Sequence, residues 1–422
     1  MNTDDKKLKV LIYGGGAREH TLAWKISQSP MLEKLYLYKP NDGFAALGEV
    51  VRADNFTELA NTAKELSIDI LVVGPEEPLV KGITDVFKKV SIPVIGPTAD
   101  WAALEGSKSF AKEFMVRNNI PTAQYAIITD KSQICSVLSG FSSPIVLKAD
   151  GIAAGKGVSI VNSRAEAEIV LEGFLGGKFG EASKKVVVEE FLDGEELSLI
   201  SLWDGDTLLP LIPARDYKRL LDNDLGPNTG GMGAYCPVEL TSEQQELLDD
   251  YLVLLETALK AEKADFAGIV YSGLMWTNGE FKVLEYNMRF GDPETQPLLT
   301  HMDSDLLEIF LLMTKKELNK AHLEWGQNMS GCVVIAAVGY PESPVAGGII
   351  ENTSEIESKY GVKVFFAGVK GDSQHLRASG GRVLSIVKSG EDPFNDIYEA
   401  AKSLKYSDKH YRNDIGKVKN RV

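Results

Sequence analysis

Short apolar runs alternate with amphipathic stretches over the first hundred residues of the chain. Each apolar run has the length of a buried strand and is closed by Gly or Pro, and each amphipathic stretch has helical spacing. This alternation predicts a parallel sheet with ligand-binding loops at the carboxyl ends of its strands. The strand-like runs are KVLIYGG (9–15), KLYLYKP (34–40), DILVVGP (69–75) and IPVIGP (92–97), and the helical stretches are REHTLAWKISQS (18–29) and FTELANTAKELS (56–67).

A second region begins with the helical pattern EGSKSFAKEFMVRNN at residues 105–119. The strand-like segments after it read as antiparallel: SPIVLKAD (143–150), GVSIV (157–161), KKVVVEEFL (184–192) and ELSLISLWDG (196–205). Strands return near the C-terminus as GCVVIAAVGYP (331–341), KVFFAGV (363–369) and GRVLSIVKSG (381–390). We therefore expect an α/β (α+β) protein of three domains: an N-terminal α/β domain (1–105), a central domain (106–325) and a small β-rich C-terminal domain (326–422).

The 422-residue chain is acidic, with 45 Lys and Arg against 60 Asp and Glu and a net charge of −15. This charge argues against nucleic acid as a partner, and it makes any local group of Lys and Arg a candidate anion site. The cysteines Cys135, Cys236 and Cys332 form no CxxC pair, so we expect neither a disulfide framework nor a metal cluster. With no long apolar segment or signal-peptide pattern, we expect a cytoplasmic monomer that acts on small molecules, away from membranes.

Two lysines flank a glycine-rich turn in IVLKADGIAAGKGVSI (145–160). One interpretation is a flexible hairpin loop. The other is a phosphate clamp, in which Lys148 and Lys156 supply charge and glycines let backbone N–H groups approach anionic oxygens. The spacing does not fit a P-loop, because three residues separate Gly151 from Gly155 and a Gly follows Lys156 where Ser or Thr is required. A nucleotide bound here would be held by a hairpin lid.

Polar residues recur at every second position in the strand-like run KVLEYNMRFGDPETQP (282–297). Side chains alternate along a strand, so Glu285, Asn287 and Arg289 would share one face. Two oxygen ligands placed in this way suit Mg²⁺, which keeps several waters and bridges nucleotide phosphates. The alternative, a purely structural role, would leave unpaired polar groups at a cost of roughly 1–3 kcal/mol each.

Two further segments carry candidate ligand contacts. In VVVEEFLDGEELS (186–198), backbone groups at 189–192 can meet an adenine edge, and Glu195 or Glu196 can accept ribose hydroxyls. The alternative for this segment is an acidic strand end exposed to water. In PARDYKRLLDNDLGPNTGGMGAY (213–235), charged residues precede a glycine-dense loop that either packs on a ligand or lies on the surface.

Taken in order, these motifs resemble those of the ATP-grasp enzymes and, within them, the phosphoribosylamine–glycine ligase family. Each motif alone is weakly specific, but the ordered set spans essentially the whole chain. The matching stretches are GGGAREH (14–20), VGPEEPLVKG (73–82), GPT (96–98), LEGSK (104–108), KADGIAAGKGV (148–158), EEFLDGEE (189–196), DYKR (216–219), GPNTGGMGAY (226–235) and NMRFGDPETQ (287–296).

The resemblance implies an ATP-grasp fold. A Rossmann-like N-terminal domain would help hold phosphoribosylamine, and the ATP-grasp domain would carry a mobile lid at about 123–192. The implied reaction joins glycine to 5-phosphoribosylamine and gives glycinamide ribonucleotide, ADP and phosphate through glycyl phosphate, the second step of de novo purine biosynthesis. ATP would be a co-substrate, and Mg²⁺ or Mn²⁺ the metal.

The resemblance also implies roles for individual residues. Arg289, Lys148 and Asp216 would be catalytic, with Arg289 and Asp216 bracketing the carboxylate and amino groups of glycine, and Glu285 and Asn287 would ligate the metal. The implied ATP contacts are Lys108, Lys148, Gly155, Lys156, Gly157, Glu189, Glu190, Phe191, Leu192 and Glu196 (or Glu195). The implied substrate contacts are Gly14, Gly16, Arg18, Glu19, His20, Asn41, Gly43, Pro75, Glu76, Asp216, Lys218, Asn228, Thr229, Gly230, Arg289, Gly291, Asp292 and Glu294.

Two loops depart from the family pattern. After its second strand the family usually has Pro-Gly-Asn-x-Gly-Thr, whereas KPNDGF (39–44) keeps Asn41 and Gly43 but lacks a Gly and the Thr. The first loop has Ala17 where the family usually has Gly, and His20 in this loop is expected to bind substrate or cap a helix. The resemblance therefore bears more on the ATP half of the site than on the phosphoribosylamine half.

Three alternative functions remain. A dinucleotide-dependent oxidoreductase would use the glycines after KVLIY, but Glu19 stands where GxGxxG has its third glycine, and no acid closes the strand KLYLYKP. An ATP-grasp enzyme with another acceptor, as in biotin-type carboxylation or formate-using purine ligases, would share the same core. A nucleotide-binding regulator would keep the fold and lose turnover, although the metal ligands and three lysines are all present.

Overall fold

The computed structural model describes residues 7–152, 157–371 and 375–417. Its first part is a parallel sheet in the order β3-β2-β1-β4-β5, which confirms the predicted α/β architecture. The elements are β1 (Leu8–Tyr13), α1 (Ala17–Ile26), β2 (Leu32–Tyr38), β3 (Glu49–Val51), α2 (Phe56–Glu65), β4 (Ile70–Val73), α3 (Glu76–Val80), α4 (Ile83–Lys88), β5 (Val94–Ile95) and α5 (Ala99–Gly106). Strand β3 and helices α3, α4 and α5 are additions that the apolar pattern did not predict.

Central strand β1 is buried on both faces. Val10 and Ile12 pack toward α1, whereas Leu11 packs toward α2 and α4, so consecutive side chains of the strand are apolar. The strand order reverses between β1 and β4. In open α/β sheets ligands bind at such a reversal, outside the carboxyl ends of the strands. The loops at 14–16 and 74–76 occupy this position.

The region predicted to be the lid is a four-stranded antiparallel sheet in the order β6-β9-β7-β8. Its elements follow helix α6: α6 (Lys108–Arg117), β6 (Tyr125–Ile128), α7 (Ile134–Leu138), β7 (Ile145–Ala149), β8 (Val158–Val161), α8 (Arg164–Leu175) and β9 (Val186–Glu190). Helices α7 and α8 cover one face, where Leu147, Phe174 and Val188 form a separate small core. The pairing of β7 with β8 confirms the predicted hairpin on either side of the two-lysine turn.

A second antiparallel sheet, β11-β10-β16-β17, forms the centre of the molecule. The elements of this part are β10 (Glu195–Trp203), β11 (Leu208–Pro210), β12 (Arg215–Asp216), β13 (Arg219–Leu221), β14 (Leu225–Asn228), β15 (Gly233–Cys236), α9 (Ser242–Ala261), β16 (Gly268–Thr277), β17 (Glu280–Asn287), α10 (Thr295–His301) and α11 (Leu306–Thr314). Ile200, Leu202 and Phe310 share one hydrophobic core with Val10 and Ile12, so the N-terminal and central parts are packed together.

The C-terminal part contains a mixed set of strands and two helices: β18 (Met329–Ala337), β19 (Ile349–Ile350), α12 (Thr353–Tyr360), β20 (Lys363–Phe366), β21 (Val369–Lys370), β22 (Leu376–Ala378), β23 (Arg382–Gly390), α13 (Pro393–Ser403) and β24 (Lys409–His410). Its main sheet has the order β12-β15-β18-β23-β20, with β24 also paired to β18. Two strands of this sheet, β12 and β15, come from the predicted central domain. The predicted boundary near 326 therefore divides a continuous sheet, and the domain limits stay a prediction.

Short 3₁₀ turns complete the described chain, at Ala45–Leu47, Lys131–Gln133, Gly180–Ser183, Asp222–Asp224 and Leu318–Lys320.

Candidate active site

A cavity of about 610 Å³ lies where loops of the three parts meet. It brings together most of the residues that the motifs single out. Those lining it are Gly16, Arg18, Glu19, Pro75, Glu76, Lys108, Lys148, Gly157, Glu189, Asp216, Lys218, Thr229, Gly230, Glu285, Asn287, Arg289, Asp292 and Glu294. Those outside its lining are Gly14, His20, Asn41, Gly43, Glu190, Phe191, Leu192, Glu196, Asn228 and Gly291. Gly155 and Lys156 lie outside the described residues.

Lys108 begins a helix that faces the cavity. The helix predicted from 105–119 is present as α6, but it is split at Ser107 from residues 105–106, which end α5. Ser107 has extended backbone, and its hydroxyl accepts the N–H of Phe110. The Asp150 carboxylate accepts the Ser109 N–H at 2.6 Å and so fixes this helix start against the end of β7. Burial lowers the pKa of Lys108, against the opposing effect of Glu285. The split directs the Lys108 side chain toward the two-lysine turn.

Two buried lysines share one carboxylate at the same end of the cavity. Lys148 on β7 and Lys112 on α6 each lie 3.0 Å from the carboxylate of Glu189 on β9. Lys112 also donates to the Thr122 hydroxyl at 2.7 Å, and burial lowers its pKa to about 8. Three ionisable groups thus carry a net charge of +1 when all are charged. This favours an anion in the adjoining space.

A bulge in β17 shapes the wall opposite these lysines. Gly273 opposes Glu285, but the next residue, Leu274, opposes Val283, so Leu284 is an extra residue. A bulged residue is not paired in the ladder, and here the Leu284 carbonyl accepts a hydrogen bond from Lys148 Nζ at 3.1 Å. Beyond the bulge, Glu285 and Asn287 both line the cavity, as their alternation along the strand predicts.

Glu285 is held ionised although it is half-buried. Burial alone would raise its pKa, but Lys218, Lys148 and Lys108 lower it below the ordinary value. In the described part of the chain its carboxylate forms no hydrogen bond or ion pair, while the Asn287 side-chain oxygen accepts one bond from Arg289 at 3.1 Å. Glu285 and Asn287 therefore present oxygen atoms that can take a divalent cation.

These donors fit Mg²⁺ of the nucleotide-bound kind. Among the described residues no group of three or more His, Cys, Asp or Glu could hold a metal by itself. Mg²⁺ commonly binds through one or two protein oxygens, waters and substrate phosphates, so a site of one carboxylate and one amide matches its chemistry.

Arg289 lies in the middle of the cavity between acidic side chains. Its Nη2 is 2.8 Å from Glu105 Oε1, and its Nε is 3.7 Å from Glu76 Oε2. Glu105, in the last turn of α5, also accepts the backbone N–H of Met288 at 2.7 Å. Burial raises the pKa of Glu105, and Arg289 opposes that rise. The guanidinium is therefore fixed in place before any ligand binds.

Asp216 and Lys218 form a second charged group across the cavity. Lys218 Nζ lies 3.5 Å from Asp216 and bonds to the carboxylate of Glu196. Burial raises the pKa of Asp216 to about 7, against the lowering effect of Lys218. Glu196, predicted to meet a ribose, is thus engaged by Lys218, while Glu195 pairs with Arg215 at 3.0 Å.

Glu294 is oriented by two buried hydroxyls. Its Oε1 accepts bonds from Tyr271 at 2.6 Å and from Ser198 at 3.2 Å, and the two hydroxyls lie 2.9 Å apart. Glu294 is 3% exposed and still lines the cavity. With Oε1 engaged, Oε2 is the oxygen left for a ligand.

The first glycine loop is closed by Glu19. Glu19 Oε2 accepts the N–H of Gly16, the N-cap of α1, and Glu19 Oε1 lies 2.6 Å from Arg18 Nε. A Cβ at Gly14 or Gly74 would lie within 2.7 Å of Glu19, so both positions require glycine. The Glu19 carboxylate thus lies at the helix N-terminus, where a dinucleotide pyrophosphate would otherwise bind.

His20 and the KPNDGF loop join the N-terminal part to the C-terminal part rather than lining the cavity. His20 Nδ1 accepts the Phe366 N–H at 2.8 Å, and its ring stacks between Phe44 and Phe366. Burial lowers the pKa of His20 to about 3, so it stays neutral. Asn41 donates to carbonyls of Gly15 and Phe366. The expected substrate contact of His20 is therefore replaced by a packing contact.

The segment expected to meet adenine lies at the carboxyl end of β9, an inner strand of the lid sheet. Phe191 is 38% exposed, whereas Leu192 packs with Ala123 and Met275 in a small cluster. The Glu190 N–H donates to the Gln124 carbonyl at 3.0 Å and is not available to a ligand. A backbone contact with adenine would therefore have to come from the other residues of segment 189–192.

Polar residues to which the sequence motifs assign no role also line the cavity, among them Glu105, Lys112, Tyr271, Tyr340 and Arg382. Lys112 follows Lys108 by one helical turn, so an i, i+4 comparison would place both on one face. Glu105 lies inside the quoted motif LEGSK. For Tyr271, Tyr340 and Arg382 the local sequence carries no signal, because long-range packing brings them to the cavity.

Family models for the phosphoribosylglycinamide synthetases match most of the chain. The N domain model matches residues 8–105, the ATP-grasp (A) domain model 106–295 and the C domain model 330–418. The phosphoribosylamine–glycine ligase of Escherichia coli (strain K12) is 41% identical over 421 residues, which cover 97% of this chain and 98% of that protein. The enzyme of the same name from Vibrio vulnificus (strain YJ016) is 40% identical over 420 residues, with 97% and 98% coverage.

Solved structures also resemble the chain over nearly its whole length. The phosphoribosylamine–glycine ligase of Thermotoga maritima has a TM-score of 0.82 at 32% identity, covering 96% of this chain and 100% of that one. The biotin carboxylase domain of the Hydrogenobacter thermophilus 2-oxoglutarate carboxylase, solved with MgADP and bicarbonate, has a TM-score of 0.74 at 16% identity and covers 96% and 92%. That second likeness shows the fold alone.

The fold and the lysine-lined cavity define the class of protein as an ATP-grasp enzyme. With three domain models and full-length identities near 40%, the chain belongs to the phosphoribosylamine–glycine ligase family. Within the residues described, no helix has the length and apolar character needed to cross a membrane.

Proposed function

We propose that this chain joins glycine to 5-phosphoribosylamine at the expense of ATP, giving glycinamide ribonucleotide, ADP and phosphate. The family supports the reaction, and the observation that carries it here is the single cavity that holds Lys108, Lys148, Glu285 and Arg289 together. A carboxylate is a poor electrophile, so amide formation at neutral pH requires its activation. Phosphorylation by ATP supplies that activation.

The ATP phosphates are assigned to the end of the cavity with the lysines. Lys108 and Lys148 supply positive charge there, Lys156 and glycines 155 and 157 of the turn would add contacts, and Glu285 and Asn287 would hold Mg²⁺. When bound, the ion neutralises charge on the phosphate oxygens. Adenine is assigned to segment 189–192. The relatives support ATP and a divalent cation, and a donor set of oxygen atoms alone suits Mg²⁺ and Mn²⁺ alike.

Glycine is assigned to the middle of the cavity. The Arg289 guanidinium would pair with its carboxylate, and Asp216 and Glu294 Oε2 would accept hydrogen bonds from its ammonium group. Arg289 is already oriented by Glu105, and Glu294 by Tyr271, so little reorganisation is required at the moment of reaction. This arrangement aligns the glycine carboxylate toward the lysine end.

Phosphoribosylamine is assigned to the side formed by the N-terminal loops. Gly16, Arg18, Pro75 and Glu76 line this side, and Asp292 and the Gly230 turn face it. The strand reversal between β1 and β4 opens at the same place. Lys218 and Thr229, which are also expected to contact the substrates, line the same cavity.

The reaction then proceeds in two balanced steps. One glycine carboxylate oxygen attacks the γ-phosphorus of ATP, the bond to the β,γ-bridging oxygen breaks, and ADP leaves with the electron pair. The amine nitrogen of phosphoribosylamine attacks the acyl carbon of glycyl phosphate, phosphate leaves with the former carboxylate oxygen, and the nitrogen releases one proton. Residues of the chain act by alignment and charge stabilisation, and the lid sheet would exclude water from glycyl phosphate.

The proposal is tested by measuring ADP release with ATP, Mg²⁺, glycine and freshly made phosphoribosylamine, omitting each component in turn. We expect turnover only with the complete mixture. Arg289→Ala should lose glycine-dependent turnover, whereas Arg52→Ala, at an exposed position of the N-terminal part, should not. Normal turnover in Arg289→Ala would contradict the role assigned to Arg289, and full turnover with bicarbonate or formate in place of glycine would favour another acceptor.

A further inference from the structure

A second bulge lies in the C-terminal sheet and directs an arginine into the cavity. Ile335 on β18 opposes Leu384, but Ala336 opposes Arg382, so Val383 is an extra residue of β23. Bulges beside active sites commonly redirect one side chain. The Arg382 side chain is 22% exposed and lines the cavity, although its strand belongs to the C-terminal part.

The Arg382 guanidinium connects two loops of the site. Nη1 donates to the carbonyls of Gly230 and Asp292, and Nη2 lies 3.1 Å from Asp292 Oδ2. The planar guanidinium can span a carbonyl and a carboxylate at once, which a lysine ammonium cannot match. Asp292 is further fixed through its Oδ1, which accepts a bond from Gln296 at 2.8 Å.

Tyr340 completes this connection. The Gly230 N–H donates to the Tyr340 hydroxyl at 2.8 Å, so both backbone polar groups of Gly230 are held by side chains of the C-terminal part. Gly231 has a φ of +113°, and a Cβ there would lie 2.4 Å from Pro293. The 229–231 turn and the 291–294 loop are thus held in close contact.

These contacts lie on the side assigned to phosphoribosylamine. A Cβ placed on Gly16 would be 3.6 Å from Asp292 Oδ2, so Asp292 adjoins the first glycine loop. Arg18, in the first turn of α1, donates to the Phe290 carbonyl at 2.9 Å, directly before the 291–294 loop. The lysines that face ATP are at the other end.

We propose that Arg382 and Tyr340 are positioning residues for the amine substrate, which hold the Gly230 turn and Asp292 against the N-terminal loop. The proposal rests on the function proposed above and adds a role for the C-terminal part. It makes the phosphoribosylamine subsite dependent on all three parts of the chain, whereas the ATP subsite is not.

The test compares Arg382→Ala, Arg382→Lys and Tyr340→Phe with the wild type. ADP release is measured against phosphoribosylamine, prepared from ribose 5-phosphate and ammonia, and separately against ATP. We expect kcat/KM for the amine to fall about 10- to 100-fold in Arg382→Ala, because bonds to a charged group are lost. Arg382→Lys should keep most of that defect, and in Tyr340→Phe kcat/KM for the amine should fall about threefold or more. In all three variants KM for ATP should stay within about threefold of the wild-type value.

Arg377→Ala is the matched control, since Arg377 is an exposed arginine of β22 that donates to the Gly347 carbonyl. It should leave all kinetic constants unchanged. An unchanged amine kcat/KM in Arg382→Lys and Tyr340→Phe would overturn the proposal, and so would equal losses for ATP and amine accompanied by a lower melting temperature. Absence of amine-dependent turnover in the wild type would instead contradict the proposed function itself.

Discussion

Lysines and carboxylates pair with each other in the cavity, and the charges that remain unpaired are the ones available to ligands. Glu189 neutralises one of two lysines, while Glu285 remains without an ion pair among the described residues yet surrounded by positive charge. Three lysines lower the pKa of the Glu285 carboxylate, so it is ionised at neutral pH. An ionised, unpaired carboxylate beside phosphate-binding lysines suits a bridging divalent cation.

Glu285→Gln removes this charge with little change in size. We expect turnover to fall by about 100-fold, since even outer-shell changes at metal sites cost 10–100-fold. We also expect Mg²⁺ to add no further thermal stabilisation in the presence of ADP. Glu280→Gln, at the exposed start of β17, should behave as the wild type. Equal MgADP stabilisation in the two variants would contradict the assignment of Glu285.

The raised pKa of Asp216 predicts that kcat/KM for glycine depends on pH. Its pKa, raised to about 7 chiefly by burial, means that the ionised fraction rises from about one tenth at pH 6 to about nine tenths at pH 8. Only the ionised form accepts hydrogen bonds from the ammonium group at both oxygens. We therefore expect kcat/KM for glycine to increase about tenfold over this range. The residual activity of Asp216→Asn should lack this increase, and the same increase in that variant would assign it to another group.

At the scale of elements, strand and helix positions follow from the apolar pattern, but the direction of key side chains does not. The predicted strands of the N-terminal sheet and the β7–β8 hairpin are present, because buried runs closed by Gly or Pro have few alternatives. The bulge at Leu284 could not be predicted, since it depends on the pairing register with β16. The packing of His20 could not be predicted for a similar reason, since its ring partners Phe44 and Phe366 are distant from it in sequence.

Helix α6 carries two of the cavity lysines, one turn apart. Replacing Lys112 by Met would leave Glu189 paired with Lys148 alone and reduce the net charge of that group from +1 to zero. We expect KM for ATP to increase about tenfold, because Glu189 then neutralises Lys148 alone and less positive charge is left for the phosphates. Glu113→Gln, on the exposed face of the same helix, is the control. A folded Lys112→Met enzyme with unchanged KM for ATP would show that the pairing has no bearing on the nucleotide.

At the scale of the whole molecule, the site is assembled from parts of the chain that share a sheet and buried contacts. Strands β12 and β15 lie in one sheet with β18, and fully buried Arg412 bonds to Asp414, to Asp224 and to the backbone of Arg219. The hairpin β13–β14, which precedes the Gly230 turn, is therefore fastened by the C-terminal segment. Among the described residues, seven Lys and Arg side chains line the cavity beside eight Asp and Glu, so its lining is close to neutral although the chain has a net charge of −15.

A chain that ends at residue 326 is accordingly expected not to fold as a unit. It would expose the free edge of β15 and the apolar side chains that β18 and β23 cover, including fully buried Met232. Circular dichroism during heating should show a broad, non-cooperative change where the full chain shows a sharp one. A soluble truncated protein with a cooperative transition would show that the C-terminal part is an accessory domain.

In the proposed reaction, ATP phosphorylates the glycine carboxylate before the amine attacks it. Glycine labelled with ¹⁸O in its carboxylate tests this directly when it is converted with ATP and phosphoribosylamine. We expect one ¹⁸O atom in each phosphate released, since phosphate leaves with a former carboxylate oxygen. Unlabelled phosphate formed together with glycinamide ribonucleotide would contradict the proposed reaction.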